Sequence, residues 1–185
     1  VDFFDVKADL EALFAPLVLR FTKAEHPALH PGRSANVELD GKVIGFIGEL
    51  HPRWMQKYDL PLAPLLFEVD AAALTQRVVP VYQEISKFPG ASRDLAVVVK
   101  QSVAVQDLLD SFHAAAKASP AARIVQAIVL FDEYRGKGLE ADEKSLAFRI
   151  SLQDTQNTLQ DDVVDGLMAV LIDAAKQGHD AKLRS

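Results

Sequence analysis

The chain has 185 residues, 49% hydrophobic and 25% charged, with a formal net charge of −6 and no cysteine. That length allows one large domain or two small ones, each able to bury its own core, and the composition is ordinary for a globular protein. It excludes disulfides and cysteine-ligated zinc, offers no apolar run long enough for a bilayer, and argues against a broadly basic grip on nucleic acid, because dividing the chain at Val78 leaves each part at net −3. The lack of cysteine fits a cytoplasmic setting. No signal peptide is legible after Val1, and a start at valine reads as a processed or excised piece.

Val6, Leu10, Leu13 and Phe14 fall at helical spacing, so Asp5 to Phe14 is expected to be a helix. His26 to Ser34 reads as a loop fixed by Pro27 and Pro31. Its two histidines lie four apart, a zinc spacing on a helix, but the prolines exclude a helix here and only His51 offers a third ligand. No metal is expected, and Arg33 and His30 are read as structural hydrogen-bonders. Asn36–Leu39 and Val43–Glu49 are expected to be strands joined at Asp40-Gly41, a hairpin signal. Glu49 and His51 end the second strand; an acid–base pair or a solvated corner both fit, and the corner is favoured. Pro52 to Tyr58 reads as a short helix, Leu65 to Val69 as a strand and Ala71 to Val78 as a short helix.

Val78 to Pro89 holds two prolines and no clean period, which marks a linker. Extended to residue 91, it separates a mixed α/β module at 1–77 from a second module at 92–185. There, Arg93–Val99 is a buried strand, and Val105, Leu108, Leu109 and Phe112 stripe a helix. Ile124–Tyr134 and Lys144–Leu152 are strands. Thr158 and Asp161 resemble a capping box before a helix striped by Val163, Val164, Leu167, Met168, Leu171 and Ile172, with Gly178 as its stop. Ala181–Arg184 is a last short strand. The order βαββαβ predicts a ferredoxin-like arrangement, and the chain as a whole is α+β.

Period-two alternation then sorts the faces. Val125, Ala127, Val129 and Phe131, with Leu146, Phe148, Ile150 and Leu152, are expected in the core. Asp132, Tyr134, Ser145 and Arg149 are expected on the open face, where a ring and hydrogen-bonding groups suit a stacked base. Arg135 and Lys137, at the hairpin tip, are placed to touch a phosphate backbone. Gly136-Lys137-Gly138 lacks the spacing of a phosphate loop. No nucleophilic triad, dinucleotide fingerprint or ATP signature is present, so no catalytic residue is expected.

Several segments together carry a resemblance: Ser86-Lys87-Phe88-Pro89, Arg93 to Val99, Leu130 to Gly138, Lys144 to Phe148 and Thr158 to Asp162, with His26 to Ala35, Ile44 to Pro52 and Phe67 to Asp70 in the first module. The chain resembles the C-terminal portion of the β subunits of bacterial phenylalanyl-tRNA synthetases. The resemblance implies a class II synthetase-like module without an active site, followed by a ferredoxin-fold anticodon-binding domain. It implies that Asp132, Tyr134 and Ser145 meet the first anticodon base of tRNA(Phe); Arg149 comes from the alternation alone. It also implies an α subunit as partner in an α2β2 heterotetramer, with ATP and Mg2+ used by that assembly and no cofactor in this piece. A purely structural interface module is the alternative. A standalone RNA-recognition motif fits less well, since Lys144 to Arg149 lacks its glycine and paired aromatics.

Overall fold

A computed structural model describes residues 1–75, 82 and 85–184. The chain divides into two compact units, Val1–Val81 and Tyr82–Ser185. Among the described residues no helix is long and apolar enough to cross a membrane.

The first unit opens with α1 (Phe3–Phe14). Asp2 caps it: its Oδ1 accepts from the Phe4 and Asp5 amides at 2.7 and 3.1 Å, and Asp5 accepts from the Asp2 amide at 2.7 Å. This box starts the helix two residues earlier than its apolar spacing implies. Leu10 and Phe14 are buried, whereas Leu13, expected with them, is 52% exposed. Four antiparallel strands follow in the order β1 (Arg20–Lys23), β2 (Leu29–Leu39), β3 (Lys42–Leu50) and β4 (Leu65–Val69). The Asp40-Gly41 turn has both φ angles positive, 50° and 77°, as a tight hairpin turn requires. β1 carries no strand signal and was not anticipated. β2 runs back through His30 to Ser34, where a loop was expected; an irregularity between Leu29 and Ser34 accommodates Pro31 and Gly32. α2 (Pro52–Lys57) starts at its proline as expected. A 3-10 turn spans Ala71–Thr75; the rest of the helix expected to reach Val78 lies outside the described residues.

The second unit follows the order β5 (Ala91–Lys100), α3 (Val105–Ala118), β6 (Val125–Tyr134), β7 (Glu143–Leu152), α4 (Asp161–His179) and β8 (Lys182–Leu183). The antiparallel sheet is ordered β6-β7-β5-β8, which is the ferredoxin-like arrangement. α3 and α4 cover one sheet face. Leu108, Phe112, Leu167 and Leu171 pack there on Leu146, Phe148 and Ile150, with Phe112 edge-on to Phe148 at 5.1 Å. Two helix-end signals resolve differently from expectation. Gln160, not Thr158, precedes α4, and no side chain caps it. Gly178 stays helical, and Asp180 takes the left-handed position at φ 51°. Part of the expected linker, 78–81 with 83 and 84, lies outside the described residues. Its C-terminal end is tied to the second unit: Ser86 Oγ donates to the Asp154 carbonyl at 2.6 Å, and Gln153 Nε2 to the Phe88 carbonyl at 3.0 Å.

β7 is regular, and its core face is the expected one. β6 is not. Its register with β7 shifts between Val125 and Ala127 and again between Leu130 and Asp132. Ile128 and Leu130 face the core, and Val129 and Phe131 are 54% and 50% exposed on the other side. The expectation that Ala127, Val129 and Phe131 are core residues is therefore wrong, whereas Val125 packs on the core as expected. The bulge at Phe131 inserts one residue and resets the alternation. Beyond it, Asp132 pairs with Ala147 and Tyr134 with Ser145.

Candidate nucleic-acid interface

The open face of the second sheet carries the chemistry. Cross-strand partners project to the same side, so the pairs Tyr134–Ser145, Asp132–Ala147 and Val129–Arg149 share that face. All four residues expected there, Asp132, Tyr134, Ser145 and Arg149, are on it. They are not equally accessible. Asp132 and Arg149 are exposed, Tyr134 is half-buried and Ser145 is only 2% exposed.

Arg184 covers the ring of one of them. It follows β8, on the far edge of the sheet, yet its guanidinium lies 4.7 Å over the Tyr134 ring on β6. The pair spans β7 and β5, and Ser145 and Val98 are the buried cross-strand neighbours in those strands. The backbone of β8 fixes the reach: the Arg184 amide donates to the Ala96 carbonyl at 3.0 Å. Among the described residues Arg184 has no carboxylate partner. The Tyr134 hydroxyl donates to the Lys137 carbonyl at 3.2 Å, folding the hairpin tip onto the ring. A Cβ at Gly136 would sit 2.9 Å from that hydroxyl, and its φ of 157° is rarely adopted by other residues. Beside the ring lies a groove of about 440 Å³ lined by Val98, Lys137, Glu143, Lys182 and Arg184.

Arg149 is held differently. Its Nε and Nη2 donate to the two oxygens of Asp94 at 2.9 and 2.8 Å. That bonding holds the Asp94 carboxyl below the usual carboxylate range and raises Arg149. The guanidinium also lies 4.8 Å over the Phe131 ring. Arg135 pairs with Glu133 at 2.6 Å, while Lys137 has no carboxylate partner among the described residues. Of the two tip cations expected to face phosphate, only Lys137 is unneutralised.

Residues 86–184 match the family described as the ferredoxin-fold anticodon binding domain. The chain belongs to that family. Residues 1–71 also match the phenylalanyl tRNA synthetase beta chain CLM domain. The chain is 56% identical over its whole length to the phenylalanine–tRNA ligase beta subunit of Cupriavidus pinatubonensis, and covers 23% of that protein. It is 60% identical, over 94% of its length, to the same subunit of Burkholderia lata, covering 22% of it. For the subunit of Nitrosospira multiformis the identity is 50% over the whole chain and 23% of the relative. The chain thus spans about a quarter of the length of these relatives.

In this ferredoxin-fold anticodon binding domain, sequence reasoning overlooked Arg184 and misplaced Phe131. Alternation in the last strand puts Arg184 on the face of Lys182, but nothing in the sequence says that β8 pairs beside β5. In the first unit, Glu49 accepts Arg33 Nη1 at 3.1 and 2.8 Å. His51 caps α2, its Nδ1 accepting from the Arg53 amide at 3.1 Å. Glu49 and His51 thus each have a structural partner, as the corner reading expects. His26 stacks on Phe46 at 4.2 Å, and His30 Nδ1 accepts from the Gly32 amide at 3.0 Å. Among the described residues no cluster of three or more His, Cys, Asp or Glu is arranged for a metal.

Proposed function

We propose that this chain is the C-terminal portion of a phenylalanine–tRNA ligase β subunit, and that its second unit holds the anticodon loop of tRNA(Phe). The Tyr134 ring stacks on the first anticodon base, Asp132 and Ser145 hydrogen-bond its edge, and Lys137 meets the adjoining phosphate. The single observation that carries this is the Arg184 guanidinium on the Tyr134 ring. A planar cation already lies where a planar base would stack. With no carboxylate among the described residues to hold it, Arg184 swings off the ring when the base arrives, uncovers Ser145 and turns to phosphate.

The first unit is the class II synthetase-like module without an active site, and it contacts the catalytic α subunit of an α2β2 assembly in the cytoplasm. Its exposed Phe4, Val18 and Leu62 support a protein contact. ATP and Mg2+ are used by the assembly, not by this piece. Tyr134→Ala in the complete ligase is expected to raise KM for tRNA, removing about 1–3 kcal/mol of stacking, with kcat at saturating tRNA little changed. An unchanged KM would leave the purely structural reading in place.

A further inference from the structure

We propose that the open sheet face carries a second base-stacking platform, the Phe131 ring with the Arg149 guanidinium over it, which takes the unpaired nucleotide next to the one on Tyr134. This rests on the reading that the Tyr134 end of the face holds an anticodon loop.

The bulge in β6 is the first support. Ile128 and Leu130 face the core, so unbroken alternation would send Asp132 and Tyr134 inward as well. The extra residue at Phe131 turns both outward while Phe131 itself stays outside. The same irregularity therefore displays two aromatic rings on one face, three positions apart, about 7–10 Å along the strand. A ring left 50% exposed in mid-strand gains nothing from the core.

The second support is the fixing of Arg149. Two bonds that it donates to Asp94 hold the guanidinium plane, and the Phe131 ring lies 4.8 Å away. Bases stack on guanidinium planes as well as on aromatic rings. Arg184 is free to leave Tyr134, but Arg149 is anchored, so here the base lies on the cation and the ring backs it. Asp94 neutralises the cation, so the platform stacks without adding a phosphate grip.

The test uses the complete ligase with Phe131→Ala, Phe131→Leu, Phe131→Trp and Tyr134→Ala, read by KM for tRNA(Phe) and by nucleotide-resolved chemical probing of its anticodon loop. Phe131→Ala and Phe131→Leu are expected to raise KM about 5- to 150-fold, the equivalent of one base stack. They should deprotect one loop nucleotide, adjacent to the one that Tyr134→Ala deprotects. Phe131→Trp should restore both readouts. If Tyr134→Ala raises KM and the Phe131 variants do not, this platform is refuted while the anticodon reading stands. If Tyr134→Ala also changes nothing, the anticodon reading itself fails. If Phe131→Ala weakens subunit assembly and leaves the probing pattern unaltered, the patch is a protein contact and the platform is refuted.

Discussion

Glu143 is a buried carboxylate that the fold keeps charged. It opens β7 and accepts Lys182 Nζ at 2.9 Å, with Lys100 Nζ at 3.9 Å. The Lys182 bond, then the Glu140 amide, hold its carboxyl below the usual range against the opposing effect of burial. Asp154 is lowered likewise, first by the Gln156 amide and also by Arg123. A carboxyl depressed in the folded state adds stability that is complete above its unfolded pKa and is lost as pH falls through the folded one. Both groups therefore stabilise the second unit at neutral pH and weaken it in acid, below about pH 4. Glu143→Gln and Asp154→Asn are each expected to lower the calorimetric midpoint near pH 7 and to flatten its fall below about pH 4. A variant whose acid limb matches the parent would show that the carboxylate does not carry this dependence. Lys144, next in the chain, runs the other way: burial pushes its ammonium down, so its cost to folding eases as pH rises.

Among the elements, β6 and β7 show how far the sequence could be read. Leu146, Phe148, Ile150 and Leu152 alternate without interruption and are all in the core, because a regular strand preserves its period. β6 has an equally apolar run, yet the alternation there assigned Val129 and Phe131 to the wrong side. A bulge has no compositional signature when the inserted residue is as apolar as its neighbours. Val125 packs on the core as the alternation expects; the reading slips out of phase at the first irregularity, after Val125, and returns to phase at the bulge at Phe131, so Asp132 and Tyr134 lie where expected. The reach of Arg184 depends on strand order, which no local pattern contains. Pairing also explains a glycine in the other sheet. A Cβ at Gly45 would lie 2.0 Å from the Glu68 carbonyl and 2.8 Å from the Val69 Cα, both backbone atoms of β4. Gly45→Ala must therefore push β4 off β3, at a cost of about 1–3 kcal/mol, the usual range for overpacking. Trp54, the single tryptophan, lies in this unit and donates to the Pro27 carbonyl at 3.2 Å. Its fluorescence should report a lower urea midpoint for Gly45→Ala; an unchanged midpoint would mean that β4 contributes little to the fold.

At the scale of the whole molecule, charge limits how the proposed anticodon-holding face could grip RNA. The net charge is −6, so attraction to phosphate must come from a few cations that no carboxylate neutralises. On the open face Arg149 is neutralised by Asp94, and Lys100 and Lys182 by Asp142 and Glu143; at the hairpin tip Arg135 is neutralised by Glu133. Lys137 and Arg184 remain without carboxylate partners among the described residues. For single-stranded nucleic acid the salt slope is about −0.7 per phosphate neutralised, so two cations give a log–log slope of about −1.4. The stack proposed on Tyr134 involves no ion pair, so it should carry most of the affinity that remains at high ionic strength. Titration of the 185-residue chain with a tRNA(Phe) anticodon stem-loop across a range of KCl concentrations measures that slope directly. A value between about −1 and −2 fits two free cations beside a stacked ring. A slope steeper than about −4 would require several more phosphate contacts and would move the RNA away from this face.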